Sequence, residues 1–460
     1  MAVRRQRRRR NTRGRVGQVS YYFHHGGWWI YFREGGKQVR RRVAENQADA
    51  QRVAAQVNAQ LASGSPTLFS FEPVDVDALR RRFLDYHENV LRSSVATIAR
   101  YRAATQHLED FVQAECAGTQ AHQIRADRFA AFLRHREVTP NGHKNTARRR
   151  LLDKGVRFIL EVCRSLYGFA HRMRHLPPYA ANPFADLRID RMQLADAKSV
   201  FLFTAETELQ FLQAADRWAF PMHFTLAKTG MRPGELAHLL IEDLDLQGGW
   251  LHVRNKIELG WRIKTGAERS VPLVPELCGV LRLAVGDRTA GPVFLQKRFL
   301  GGTAVPNQLN RNALARLFGE RVATTERQQA RSLNRAEKLR LARNLWRDAG
   351  ALDGDDIRIS YGRIARRAGL AEATCPKSWR HTFATLLQDA NVDPLIRQLV
   401  LGHKPTDRRG GLGMTARYSH SRPETLKSSI DRALRLWPKS LESGARFSEA
   451  RTTIKDKTNS

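Results

Sequence analysis

The sequence predicts a mainly α protein with small β-sheets (α+β), divided into three domains, and three observations carry that expectation. At roughly 150 residues per domain, 460 residues leave room for about three domains. Apolar residues recur at helical spacing through most of the chain between residues 75 and 437, whereas β-prone runs are short and gather in two places, near the start and around residues 248–273. Hydrophobic residues form 42% of the chain, so it is no disordered polycation despite 78 Lys+Arg against 45 Asp+Glu and a formal charge of +33. That charge excludes an acidic enzyme. It points to a polyanionic partner, nucleic acid first, because each neutralised phosphate releases a condensed counterion.

The first domain spans residues 1–66. Its first 45 residues hold 13 Lys/Arg, eight of them Arg before residue 16, and two acids, a net +11 in a tenth of the chain. Gln18 to Tyr22, Trp28 to Arg33 and Gln38 to Val43 read as three strands, because His24-His25-Gly26-Gly27 and Glu34-Gly35-Gly36-Lys37 between them are turn chemistry. A helix over about 46–61 follows. Tyr21, Tyr22, Trp28, Trp29, Tyr31 and Phe32 are either a nucleic-acid-facing surface or the inner face of a small sheet; the sequence leaves both open. A Gly/Ser/Pro-rich stretch over 62–67 closes the module.

The second domain, 72–178, is a bundle of four helices, read from Ile98, Tyr101, Leu108, Phe111 and Val112, then Phe129, Phe132 and Leu133, then Val156, Ile159, Leu160, Cys163, Leu166, Tyr167 and Ala170. Its basic run Lys144 to Arg150 is a solvated face or a DNA track. Residues 179–199 read as a linker. The third domain, 200–438, has helical patterns over 206–227, strands over 248–254 and 261–273, a long helix-rich insertion at 296–370, and helices on to Trp437. Within the insertion, residues 321–348 carry eight basic and three acidic residues, a solvated helical face. Ser421 to Glu424 is a capping box leading into the apolar stripe Leu426, Ile430, Leu434 and Trp437, which must be buried, on its own domain or on a neighbouring protomer. Residues 439–460, polar and aperiodic, are expected to be disordered.

Cys116, Cys163, Cys278 and Cys375 are widely spaced, with neither a Cys-x-x-Cys pair nor a nearby histidine at metal-ligand spacing, and read as thiols of a reducing compartment. No apolar run approaches the ~20 residues of a membrane span. The expectation is a soluble, cytoplasmic protein with no membrane partner.

Four blocks from the middle of the chain onward are each ambiguous alone. Thr229-Gly230-Met231-Arg232-Pro233-Gly234-Glu235-Leu236 is a turn into a helix. Lys377-Ser378-Trp379-Arg380-His381 opens a second helix with cations and an imidazole, while Leu401-Gly402-His403-Lys404 and Thr415-Ala416-Arg417-Tyr418-Ser419-His420 put a histidine and a tyrosine in loops. Lys264, in Ile263-Lys264-Thr265-Gly266, falls in a strand turn between the first block and the second. In this order, Arg232, Lys264, Lys377 with Arg380, His403 and Tyr418, the sequence resembles the tyrosine recombinase (phage integrase) family, whose signature is an Arg, a β-hairpin Lys, His-or-Lys-x-x-Arg, His and a nucleophilic Tyr. The resemblance covers about residues 200–437 with specific motifs. It reaches more weakly to the bundle, including Asn182-Pro183-Phe184, which resembles a core-binding (SAM-like) domain, and to the N-terminal sheet, which resembles an arm-binding domain.

The resemblance implies site-specific DNA recombination through a 3′-phosphotyrosyl intermediate, integrating or excising a mobile element. Arg232 and Arg380 would clamp the non-bridging oxygens with planar, permanently charged forks. Tyr418 would be the nucleophile and Lys264 the acid that protonates the leaving 5′ oxygen. His403 would hydrogen-bond the same phosphate, Lys377 would add charge, and Glu235 and Asp243 would buttress the arginines. His381, next to Arg380 on one helix, points to a different face and is read as structural. No cofactor and no metal is implied. The implied partners are double-stranded DNA, further copies of the chain, a tetramer on two sites, and room for a DNA-bending accessory protein. Two features depart from the family pattern: Lys377 stands where histidine is usual, as in type IB topoisomerases, and the interval from His403 to Tyr418 is longer than usual, which predicts a more mobile tyrosine loop. The rival activities are topoisomerase-like strand relaxation and a catalytically idle DNA-binding regulator.

Overall fold

The computed structural model describes residues 13–139, 146–177, 180–194, 199–301, 308–403 and 422–458, without the side chains of 300–301 and 450–458. The chain forms two compact units, residues 1–198 and 199–460. It is mostly helical with small antiparallel sheets, as the sequence predicts.

The first unit opens with a four-stranded meander, one strand more than expected: β1 (Arg13–Val16), β2 (Val19–His24), β3 (Gly27–Glu34) and β4 (Lys37–Ala44), followed by α1 (Gln47–Ala62). The extra strand was hidden in the arginine run, because an edge strand pairs through its backbone and can face both arginines outward. Pleating divides the aromatics between the two faces of the sheet. Tyr21, Trp28, Ile30 and Phe32 pack with Ala50, Ala54 and Val57 of α1. Tyr22, Trp29 and Tyr31 alternate with these, and register places Arg13, Tyr22, Trp29 and Arg42 in one row across the four strands, with Arg40 stacked 5.5 Å from the centre of the Tyr31 ring.

A second core in the same unit joins α2 (Val76–Asp85), α3 (Val95–Glu115), α4 (Ala126–His135) and α5 (Asp153–Arg172), with a two-stranded ribbon of β5 (Glu137–Val138) and β6 (Arg149–Arg150). The expected linker is in part bundle: Phe184 and Ile189 are fully buried there, and Leu187 and Met192 pack beside them. Asn182 starts that return, its Oδ1 accepting from the Phe184 N–H at 3.0 Å and its Nδ2 donating to the Arg164 carbonyl at 2.9 Å.

The second unit runs α6 (Ala205–Gln213), α7 (Ala219–Thr229), α8 (Pro233–Ala237), β7 (Leu244–Asp245), β8 (Trp250–Val253), β9 (Arg269–Pro272), α9 (Pro275–Val285), α10 (Arg311–Gln329), α11 (Arg335–Asp348), α12 (Gly354–Arg367), α13 (Lys377–Asp389), α14 (Pro394–Leu401), α15 (Pro423–Leu434) and α16 (Pro438–Thr458). Its sheet has the order β7-β8-β9. The expected strand over 261–273 shortens to β9, because residues 254–268 are a loop. One apolar core runs through the unit, with Trp379 stacked on Phe203 at 3.9 Å.

Three expectations change here. The 296–370 segment is no insertion as a whole, since Ile357, Tyr361, Ile364 and Ala365 of α12 belong to the main core; only α10 and α11 form a side hairpin, on a smaller core with Leu240 and Leu259. Helix α15 begins one residue later than the capping box implies, with Arg422 at the N-cap and Pro423 at the first helical position, while Ser421 lies outside the described residues. Its stripe packs on its own unit, Ile430 and Leu434 fully buried and Leu426 and Trp437 against the same core. The expected disordered tail is instead helix α16. Leu441 is buried, Phe447 stacks on Phe220 at 4.4 Å, and Ser440 joins the buried pair of Lys228 and Glu208, donating to Glu208 and accepting from Lys228 at 2.7 Å. Such a helix is invisible to periodicity because its described contacts rest on one Leu, one Phe and small residues. No described helix is long and apolar enough to cross a membrane.

Candidate active site

Helix α7 ends at Gly230, whose φ of +59° and close approach to the Phe383 ring both require glycine. The chain then turns through Met231 so that Arg232 becomes the N-cap of α8. Glu235, three residues on, accepts from the Arg232 N–H at 2.9 Å and from its Nη1 at 2.8 Å. That carboxylate is buried and has a second cation: Arg269 of β9 donates from Nη2 to Oε2 at 2.6 Å and from Nη1 to Oε1 at 3.2 Å. Arg269 also donates from Nε to the Val400 carbonyl at 2.7 Å, at the end of α14. One side chain thus fastens the Arg232 turn, the sheet and the approach to His403. Burial pushes the Glu235 carboxyl up, but the bonds and charges of Arg269 and Arg232 outweigh it and leave its pKa below the usual carboxylate range.

Arg380, on the fourth residue of α13, is buried; its Nη1 donates to the Gly230 carbonyl at 2.8 Å and its Nη2 to the Leu401 carbonyl. Burial, with the charges of Arg232 and Arg269, brings its pKa down to about 10, so it stays cationic at neutrality. His403 follows Gly402, the left-handed cap of α14, and its N–H bonds the Gln398 carbonyl at 3.0 Å. Partial burial and then the charges of Arg380, Arg232 and Arg269 lower its pKa, so the ring is neutral at pH 7 and keeps one N–H to donate.

The structure therefore brings Arg232, Arg380, His403 and Glu235 together. Lys377 stands exposed at the first position of α13, where its charge acts on His381, itself exposed while Arg380 is buried, so the two neighbours do point to different faces. Lys264 stands exposed in the 254–268 loop. The described contacts tie neither lysine to the arginine cluster. Asp243 corrects the expectation made for it: it is buried but pairs with Lys256 at 2.8 Å and faces Arg254 at 3.8 Å, so it anchors the strand loop rather than an arginine of the cluster. Tyr418 and His420 lie outside the described residues. Tyr361 is the other tyrosine after residue 199, and it is fully buried in the core with its hydroxyl pKa pushed up by burial. Sequence reasoning missed Arg269; its only signal was an arginine five residues after Lys264.

Among the described residues no group of three His, Cys, Asp or Glu is arranged to hold a metal ion. What the cluster offers is two fixed guanidinium groups and a neutral imidazole, an arrangement suited to a doubly charged oxyanion such as a phosphodiester on its way to a phosphorane.

Residues 202–353 match the profile of the phage integrase family. Among solved structures, the chain is similar to the Tn1549 transposon integrase in complex with circular intermediate DNA, at 16% identity over 78% of this chain and 99% of that one, with a TM-score of 0.47. It is also similar to a lambda integrase dimer bound to a COC′ core site, at 16% identity over 87% and 96% of the two chains with a TM-score of 0.42. For XerA recombinase the values are 18%, 77% and 98%, with a TM-score of 0.30. No curated protein sequence matches the chain.

Proposed function

We propose that the chain, whose residues 202–353 match the phage integrase profile, is a tyrosine recombinase that cuts and rejoins duplex DNA at specific sites through a 3′-phosphotyrosyl intermediate, moving a mobile element into or out of a chromosome. The observation that carries this reading is the convergence of Arg232, Arg380 and His403 on one neighbourhood, stabilised by Glu235 and Arg269. The arginines would hold the two non-bridging oxygens and gain strength as charge builds there, while His403 donates a hydrogen bond to the same group. Tyr418 would attack phosphorus, its O–P bond forming as the P–O5′ bond breaks. The electron pair goes to O5′, and Lys264 supplies its proton. Lys377 adds positive charge at the edge.

Phosphate energy is conserved in the tyrosyl ester, so rejoining needs no nucleotide. Exchange between two duplexes breaks four strands, each needing its own tyrosine, which is the chemical reason for four copies on two sites. The outer sheet row of Arg13, Tyr22, Trp29 and Arg42 is suited to additional contacts with DNA.

The test is incubation with duplexes from the flanks of the protein's own gene, followed by mapping of any covalent adduct. A 3′-phosphotyrosyl adduct at a discrete position, lost in Tyr418→Phe with DNA binding retained, is the expected result. Strand relaxation without transfer between two sites would favour a topoisomerase, and binding without any adduct would reduce the protein to a DNA-binding regulator.

A further inference from the structure

The loop that presents Lys264 is gripped by two helices that play no other part in the constellation described above. Arg311, the first residue of α10, donates from Nη2 to the Asn255 carbonyl at 2.9 Å and pairs through Nε with Glu258. Asn255 in turn brackets the lysine. Its Oδ1 accepts from the Ile263 N–H at 3.0 Å and its Nδ2 donates to the Gly266 carbonyl at 3.1 Å, so Lys264 and Thr265 lie between the two tethered positions. On the other side of the loop, Trp346 of α11 donates from Nε1 to the Leu259 carbonyl at 3.1 Å, and Leu259 is fully buried among Leu314, Leu345 and Trp346. Gly260 has a φ of +69°, and a Cβ there would collide with Ala342 of α11. The loop backbone lies directly on the hairpin, while the Lys264 side chain stays exposed.

This arrangement has a chemical use. An acid must come within hydrogen-bond reach of the oxygen it protonates, and a free lysine side chain already has rotamer entropy to lose. Were the backbone loose as well, the productive arrangement would be rarer still. We propose that the α10–α11 hairpin is a brace for the acid loop, in which Arg311 and Asn255 are positioning residues that set how often the Lys264 ammonium reaches the leaving 5′ oxygen. The proposal rests on the role given to Lys264 under the proposed function.

The experiment compares single-turnover cleavage by the full chain on two nicked duplexes carrying the mapped site, one with the normal 5′ bridging oxygen and one with sulfur in its place. A thiolate, from a group of pKa about 8.5, departs without a proton, so any defect confined to the acid vanishes on the sulfur substrate. Asn255→Ala and Arg311→Ala are expected to slow cleavage of the oxygen substrate by about 10- to 100-fold, a part of what general acid catalysis supplies, and to leave the sulfur substrate within about threefold of the unaltered chain. Arg311→Lys, which keeps the charge but not the fork, should fall between. Trp346→Phe, which removes the Nε1–H donor and shrinks the buried ring, probes the second tether where the thermal transition shows that the alanine variants unfold. Equal slowing on both substrates in folded variants, or no slowing on either, overturns the brace. If Lys264→Ala is itself not rescued by sulfur while the tyrosyl adduct still forms, the acid assignment falls and takes the brace with it, leaving the recombinase reading intact. Failure of the unaltered chain to form any adduct overturns that reading instead.

Discussion

Glu235 and Arg269 meet through both carboxylate oxygens, at 2.6 and 3.2 Å, with 2% and 5% of the two side chains exposed. A pair this dry is costly to break from one side, because the remaining charge stays out of water. Glu235→Gln should therefore destabilise the second unit by about 3–5 kcal/mol, lowering its thermal midpoint by on the order of 10 °C. Calorimetry of the full chain measures it. An unchanged midpoint would mean that the pair is solvated in solution.

Arg232→Ala and Arg380→Ala should each slow strand cleavage by roughly 10²–10³-fold, the loss seen when one oxyanion donor is removed, with DNA binding much less affected. Filter binding and adduct yield on the same duplex separate the two effects. Because Arg380 also holds the Gly230 and Leu401 carbonyls, its variant should lose more stability than the Arg232 variant, in which Glu235 keeps its Arg269 partner.

Tyr361→Phe should leave adduct formation intact. Its hydroxyl is sealed in the core and cannot reach a phosphate without unfolding. Disappearance of the adduct in this variant, with the fold retained, would refute the choice of Tyr418.

His223 and His238 are held neutral, burial pulling their pKa values down to about 3 and about 4. The unfolded chain, with ordinary imidazoles near 6.5, therefore takes up more protons than the folded one as pH falls. Stability of the second unit should drop between pH 6.5 and 5 by up to about 1.4 kcal/mol per pH unit for each ring. His223→Gln should roughly halve that slope. A thermal midpoint independent of pH across this range would contradict the burial of both rings.

What the sequence disclosed divides by range. Arg232 and Glu235 are three residues apart, Lys377 and Arg380 likewise, and blocks this short can be read directly from the sequence. Arg269 is different: its partners lie 34 residues back at Glu235 and 131 residues ahead at Val400, and its own neighbourhood is an ordinary strand. Asp243 was misassigned for the same reason, since Lys256 and Arg254, rather than an arginine of the cluster, close on it only once β8 is in place. Helix periodicity found the bundle and α15, where large apolar residues recur. It failed at α16, which is stabilised by partners drawn from α6, α7 and α9, and at β1, whose backbone pairing leaves no mark among its arginines.

The seating of α16 also sets a schedule for biosynthesis. Phe447 stacks on Phe220, and Ser440 completes the buried Lys228–Glu208 pair, so helices made early in the second unit wait for side chains made more than 200 residues later. The first unit is complete at residue 198 and can fold while translation continues. At about 5–20 residues per second, the second unit then stays open on the ribosome for on the order of 10–50 s before residue 447 is added. Through that interval Lys228 and Glu208 remain hydrated and the Phe220 ring uncovered. A nascent chain that stalls short of residue 440 has its guanidinium cluster encoded in full but no closed core to hold it, which makes the late helix the step that commits the second unit to its folded form.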